Sequence, residues 1–137
     1  MAMGKVIRQI HWVTRDQVKE NPNVIFVFGD NMSQEGLGGQ AGAMRHRPNS
    51  VGVPTKWFPS MHDHAFFKDS DFHEQSIVRV RIEGAFHMLR KAIDRGIDVV
   101  IPVDGLGTGL SELPTRAPQI NQYIEALIAN LEVRASK

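Results

Sequence analysis

VIFVFGD at residues 24–30 and DVVIPVD at 98–104 are apolar runs that each end in an aspartate and open into a glycine-rich turn, GLGGQAGAMR at 36–45 and GLGTGLSELP at 105–114. A continuous run of β-branched and aromatic residues such as Val24 to Phe28 suits a strand covered on both faces, as in the middle of a parallel sheet. Glycines spent at two strand ends, each before helix-forming sequence, build backbone that something must approach closely, and anionic phosphate is the usual occupant. The two turns together read as a site for a nucleotide derivative.

Outward from these turns, VIRQIHW at 6–12 alternates apolar and polar residues and predicts a half-buried strand. Thr14 with Gln17 makes a capping box for a short helix, which Asn21, Pro22 and Asn23 end. Val51 to Pro54 is a shorter buried strand. Residues 57–73, WFPSMHDHAFFKDSDFH, have no clean period, and a loop of that length is functional or pinned by its own side chains. Val78, Ile82, Ala85, Phe86, Leu89 and Ile93 recur at helical spacing and predict a helix over 74–95, stopped by Gly96. Val99 to Val103 is the next strand, and Ile120, Ile124, Leu127, Ile128 and Leu131 give a last helix with Pro114 and Pro118 around its start. This order predicts one α/β domain over residues 1–137, three layers α/β/α around a mostly parallel central sheet.

A chain of 137 residues is the length of one ordinary domain. Sixteen Lys and Arg against 15 Asp and Glu leave a net charge of +1, so no overall basic field suggests general nucleic-acid affinity. With no cysteine there is no disulfide framework and no thiolate chemistry, which fits a reducing compartment. The start MAMGKVIRQ lacks the apolar core of a signal peptide and no run approaches the length of a membrane span, so a cytoplasmic protein is expected.

In the first turn, Gly36, Gly38 and Gly39 precede QAGAMR, so backbone N–H groups would converge at a helix start; the alternative is a tight connection needing glycine only for its dihedrals. A valine at Gly38 or Gly107 is expected to fill the phosphate's place. A Walker loop is excluded by the lack of a Gly-Lys-Ser/Thr triplet. A dinucleotide fingerprint is disfavoured because the strand after the first turn ends in Thr55-Lys56, not an acid. Lys56 follows a buried strand and precedes Trp57 and Phe58; burial would favour its neutral, nucleophilic amine, and a plain phosphate partner is the other reading. His62, Asp63, His64 and His73 carry metal donors, although loop histidines are more often surface groups, and no bound metal is expected. Phe66, Phe67 and Phe72 read as core cover or, alternatively, as a base-stacking surface. Arg45, His46 and Arg47 read as a solvated helix end.

FGDNMSQEGLGGQAGAM is similar to the first loop of macro domains, and IPVDGLGTGLSELP resembles their second loop. VPTKW at 53–57 resembles the Pro-Thr-Lys segment of the macro-domain subgroup found in antitoxins that remove ADP-ribose from DNA, and the chain is also similar to short phage and bacterial proteins of the VFGDN, GLGGQA, PTK type. The resemblance implies that the first loop, with Asp30, Gly36, Gly38 and Gly39, cradles the distal ribose. The second, from Gly105 through Leu106, Gly107, Thr108 and Gly109 to Leu110, would hold the diphosphate. It further implies that Asn31 faces the ribose, that Asp16 in TRDQ recognises adenine, and that Lys56 attacks the anomeric carbon with an acid of the second loop assisting. Ser111 stands near where that acid is expected; Asp30, Asp104 and Glu112 lie close by, with Asp104 taken for the role. The implied function is binding of ADP-ribose, or of an ADP-ribosylated protein, DNA or RNA end, and hydrolysis of the ADP-ribosyl bond without a cofactor. A non-catalytic module that sequesters such a nucleotide is the alternative, and a metal-dependent hydrolase using the loop histidines is the third reading.

Overall fold

The computed structural model describes residues 2–137. Its four strands are β1 (Val6–Gln9), β2 (Ile25–Asn31), β3 (Ser50–Lys56) and β4 (Val99–Pro102), and they form one sheet in the order β1-β4-β2-β3. Every neighbouring pair is parallel. Around the sheet lie α1 (Arg15–Glu20), α2 (Ala41–Met44), α3 (Ile77–Asp94), α4 (Leu113–Arg116) and α5 (Pro118–Ala135). The expected α/β class and three-layer arrangement are therefore present, with a sheet that is parallel throughout.

Alternation along β2 decides which helices go where. Phe26 and Phe28, with Val100 of β4, point to the face covered by Val13, Val18, Ala41, Ala43 and Met44 from the α1 and α2 regions. Val27, Val53, Val99 and Ile101 point to the opposite face and pack against Ile82, Phe86 and Leu89 of α3 and Ile120, Ile124 and Ile128 of α5. Both faces of β2 are thus covered, which is why its sequence is a continuous apolar run. At the outer end of the α3–α5 pair, Arg134 grips Asp94 with two hydrogen bonds of 2.7 Å.

Several boundaries differ from the sequence expectation, each for a local reason. The first strand stops at Gln9, where Val103 N–H donates to the Gln9 carbonyl at 2.9 Å, and Ile10 and Trp12 beyond it are exposed. Thr14 does cap α1 by accepting from Gln17 N–H at 3.1 Å, but the Gln17 side chain pairs with the Gln9 amide, so only half of the capping box forms. The helix of the first glycine turn lasts a single turn, because Arg45 leaves the helical conformation and His46 adopts a positive φ of 66°. Ser76 caps α3 by accepting from Arg79 N–H, which moves its start from 74 to 77. The last helix starts at Pro118 as its sequence predicts, and a separate single turn, α4, precedes it with Ala117 bent between the two. Residues 57–73 contain two 3-10 turns, Asp63–Ala65 and Asp69–Asp71, and bury Phe66 and Phe67. Among the described residues no helix is long and apolar enough to cross a membrane.

β2 and β3 both run further than their apolar cores, so Asp30, Asn31 and Lys56 sit on strand ends. A register shift between Asp30 and Asn31 sets Asn31 opposite Lys56, and Met32 N–H donates to the Lys56 carbonyl at 2.8 Å.

Candidate functional site

β2 and β4 are neighbours, but the chain leaves β2 toward α2 on one face and leaves β4 toward α4 and α5 on the other. Parallel strands whose exits diverge in this way leave a crevice at their carboxyl ends. Here the crevice consists of two adjoining cavities, one of about 350 Å³ and one of about 190 Å³, which share Gly29, Gly38, Leu110 and Ser111 in their walls. Both glycine loops line it.

The loops present backbone donors to this crevice. Among the described residues, the N–H groups of Gly36 to Gln40 and of Leu106 to Ser111 donate to no protein acceptor, while Gly105, Glu112 and Leu113 at the borders of the second run donate to Pro102, Gly109 and Gly107 carbonyls. Consecutive unpaired N–H groups are the donors from which loops build anion sites. The first loop is held to the chain before α1 by the Gln40 side chain, which accepts from Val13 N–H at 2.9 Å and donates to the Val13 carbonyl at 2.8 Å.

The glycines serve different purposes. A Cβ on Gly29 would lie 3.3 Å from Gly107 N, so β2 passes directly beneath the second loop. Gly107 has φ +79°, and its Cβ would meet Leu113 Cδ2 at 2.9 Å, so a valine there would collide with the protein itself, contrary to the expectation that it would fill ligand space. A Cβ on Gly38 would touch Leu110 Cδ1 at an ordinary 3.5 Å, and one on Gly109 would meet nothing within 4 Å.

Asp30, Glu35, Arg45 and Lys56 line the smaller cavity. Lys56 is 6% exposed; its Nζ donates to the Leu110 carbonyl at 3.3 Å, contacts Met61 Sδ at 3.5 Å and lies 4.6 Å from the centre of the Phe66 ring. Burial pushes its pKa below the ordinary lysine value, opposed by the Glu112 carboxylate and reinforced by the Arg116 guanidinium. Arg116 itself lies 3.7 Å from the Phe66 ring centre and pairs with Glu112 and Asp63. Asp30 is not a free acid: Arg45 Nη2 donates to its Oδ1 at 2.6 Å, while Arg45 Nε donates to the Gly36 carbonyl at 2.7 Å. Asn31 is equally occupied, its amide donating to the Glu35 carbonyl and its oxygen accepting from Ser33 Oγ and Glu35 N–H. It stabilises the loop from within.

Of the residues singled out in the sequence, the smaller cavity brings together Lys56, Asn31, Asp30, Gly36, Gly38 and Leu110. Asp104 lines the larger cavity, with Gly39, Gly105, Leu106, Gly107, Thr108 and Gly109, and so does not share a cavity with Lys56. Asp16 lines neither cavity; capping by Thr14 starts α1 so that Asp16 is exposed in its first turn, and the end of the crevice is walled by Gln9 to Trp12. Arg45 is a buried partner of Asp30, not part of a solvated helix end. Glu35 was missed. It lines the smaller cavity beside Lys56, and among the described residues its carboxylate makes no hydrogen bond or ion pair. A glutamate amid exposed polar loop residues carries no periodic or motif signal.

The histidines of the long loop do not converge on a metal site. His62 and His64 stack at 5.6 Å, Asp63 between them pairs with Arg116, and among the described residues no group of three or more His, Asp or Glu side chains is placed to hold an ion.

Neither the curated proteins nor the solved structures contain a match to the chain. One family model does match, over residues 8–127, a span that runs from β1 into α5 and encloses both glycine loops, Glu35, Lys56 and Asp104. The chain therefore belongs to the family of unknown function DUF7831.

Proposed function

We propose that the crevice binds ADP-ribose, or an ADP-ribosylated end group, and that Lys56 acts in hydrolysing the ADP-ribosyl bond. The observation that carries the reading is the pair of unpaired N–H runs, Gly36 to Gln40 and Leu106 to Ser111, lining one crevice where β2 and β4 diverge. A diphosphate accepts hydrogen bonds only, and such donors need no reorganisation to receive it. The larger cavity is of the size that small-molecule ligands occupy, about 300–1,000 Å³. With the diphosphate between the loops, the distal ribose would enter the smaller cavity beside Lys56. The sequence resemblance to macro domains supports the same orientation.

In the chemical step, the neutral Lys56 amine attacks the anomeric carbon as its bond to the acceptor heteroatom breaks, and the departing acceptor takes a proton. Water then displaces the lysine and restores the amine. The proton-handling role falls to Glu35, the carboxylate without a protein partner that shares the cavity with Lys56, in place of Asp104. The test is turnover of ADP-ribosylated DNA, RNA and protein substrates by wild type, Lys56→Ala and Glu35→Gln. Each substitution should lower the rate at saturation by about a hundredfold, the scale of a lost acid–base or nucleophilic group, while ADP-ribose still binds. A wild type that binds ADP-ribose and hydrolyses none of the three substrates would leave a sequestering module in place of an enzyme.

A further inference from the structure

The Phe66 ring carries two cations. Lys56 Nζ lies 4.6 Å from its centre and Arg116 Cζ 3.7 Å, so the amine and the guanidinium are no further apart than those two distances laid end to end. Phe66 is 2% exposed and forms an antiparallel backbone bridge with Lys56, which fixes the ring beside the lysine. Arg116 also reaches two carboxylates. Its Nη1 donates to Asp63 Oδ1 at 3.2 Å, on the first 3-10 turn of the long loop, and its Nε donates to Glu112 Oε1 at 3.0 Å, four residues back in the chain. Glu112 holds a left-handed conformation with φ 49°, which is uncommon for a residue other than glycine.

Two residues of the long loop, Asp63 and Phe66, therefore meet one side chain of α4, and a third, Met61, contacts the amine itself with Sδ 3.5 Å from Lys56 Nζ. Burial of the amine is the largest influence toward its neutral form; the Glu112 carboxylate opposes it and the Arg116 guanidinium reinforces it. A guanidinium keeps its proton throughout the working range, so Arg116 supplies the same charge at every pH. The remaining charged groups in the wall of the Lys56 cavity are Glu35 and the mutually paired Asp30 and Arg45. Resting on the reading above that Lys56 is a nucleophile, we infer that Arg116 is its positioning residue, clasping the long loop over the amine and taking up the Glu112 carboxylate that would otherwise favour the ammonium. Arg116 acts through Lys56 and needs no contact with the substrate.

NMR titration of the Lys56 side chain in the ligand-free protein reads its ionisation directly, in wild type, Arg116→Met, Glu112→Gln and the double variant. Arg116→Met should move the midpoint to higher pH by about half a pH unit or more, the scale of one nearby charge in a partly buried site, and Glu112→Gln should move it to lower pH. In the double variant the midpoint should return toward that of wild type. A residue that only braced the loop would not give opposite signs that cancel. Arg116→Lys keeps the charge and loses the fork, so it should stay closer to wild type than Arg116→Met. In turnover of an ADP-ribosylated substrate, the acid limb of the pH–rate profile should move with each midpoint, lowering kcat in Arg116→Met below the midpoint with KM little changed. Glu112→Gln leaves both contacts of Arg116 to the long loop in place, so it reports even if Arg116→Met loosens that loop. Unmoved midpoints in folded Arg116→Met and Glu112→Gln would overturn the assignment while the nucleotide site stands. Midpoints that move as expected in a protein that hydrolyses no substrate would uphold the electrostatic arrangement and overturn the hydrolytic reading alone.

Discussion

The hydroxyls of Thr55 and Ser111 lie 2.7 Å apart and tie the end of β3, one residue before Lys56, to the second glycine loop. Thr55 Oγ1 also donates to the Asp30 carbonyl at 3.1 Å, so its single proton is spent there and Ser111 supplies the proton between the two hydroxyls. One fully buried side chain at the end of β3 thus joins the end of β2 to the second glycine loop.

Thr55→Val keeps the shape and removes both bonds, leaving the Asp30 carbonyl and the Ser111 hydroxyl short of a partner. Destabilisation of about 1–3 kcal/mol is expected, the usual range for a buried polar group left unsatisfied. Chemical denaturation measures it. Ser111→Ala, which removes only one bond and leaves Thr55 paired to Asp30, should cost less than Thr55→Val.

The Asp30–Arg45 pair predicts a sharper asymmetry. With side-chain exposures of 7% for Arg45 and 8% for Asp30, Arg45→Met strands a buried carboxylate and should cost about 3–5 kcal/mol. The double variant Asp30→Asn with Arg45→Met should recover a large part of that loss, because the uncompensated charge is gone. Equal destabilisation of single and double variants would show that Arg45 acts through the Gly36 and Glu35 carbonyls it also binds.

The two glycines of the second loop should separate folding from binding. Gly107→Val forces a side chain into Leu113 from a backbone with φ +79°, so the melting temperature should fall before any ligand is added. Gly109→Val meets open space and should fold normally, with its side chain obstructing the crevice. Binding that survives Gly109→Val undiminished would mean that the diphosphate does not lie against this loop.

Lys56 sets a pH dependence whose direction follows from its lowered pKa. In the window between the lowered folded value and the ordinary unfolded one, the unfolded chain binds the proton and the folded chain does not, so stability rises with pH across that window. Lys56→Met should abolish this rise. Turnover should climb as pH rises through the folded pKa, the lower edge of that window, because the amine becomes neutral there, and Lys56→Arg should be inactive at every pH because guanidinium stays charged.

The parallel sheet was legible because Val24 to Phe28 and Val99 to Val103 are apolar on both faces, and the crevice because glycines cluster where those strands end. Long helices announced themselves through period, down to Gly96 at the end of α3. What escaped was tertiary. Arg45 looks like any basic residue near a helix end until the first loop folds back to put Asp30 beside it. Asp16 looked suited to reading a base until the Thr14 cap directed it to solvent. Glu35 and Asp104 gain meaning only from which cavity each one lines, and no spacing in the chain records that partition.

Titration calorimetry of ADP-ribose into wild type, Gly109→Val and Lys56→Ala is the most direct measurement of whether the crevice is a nucleotide site. Wild type should bind one ligand per chain with a Kd of about 1–100 μM, a free energy near 5.5–8 kcal/mol. Lys56→Ala should bind within about tenfold of wild type, since its amine serves the reaction more than the diphosphate. Gly109→Val should show no binding heat while keeping the wild-type melting temperature. An absence of binding by folded wild type at millimolar ADP-ribose, or full binding by Gly109→Val, would contradict the proposal that the two glycine loops hold its diphosphate.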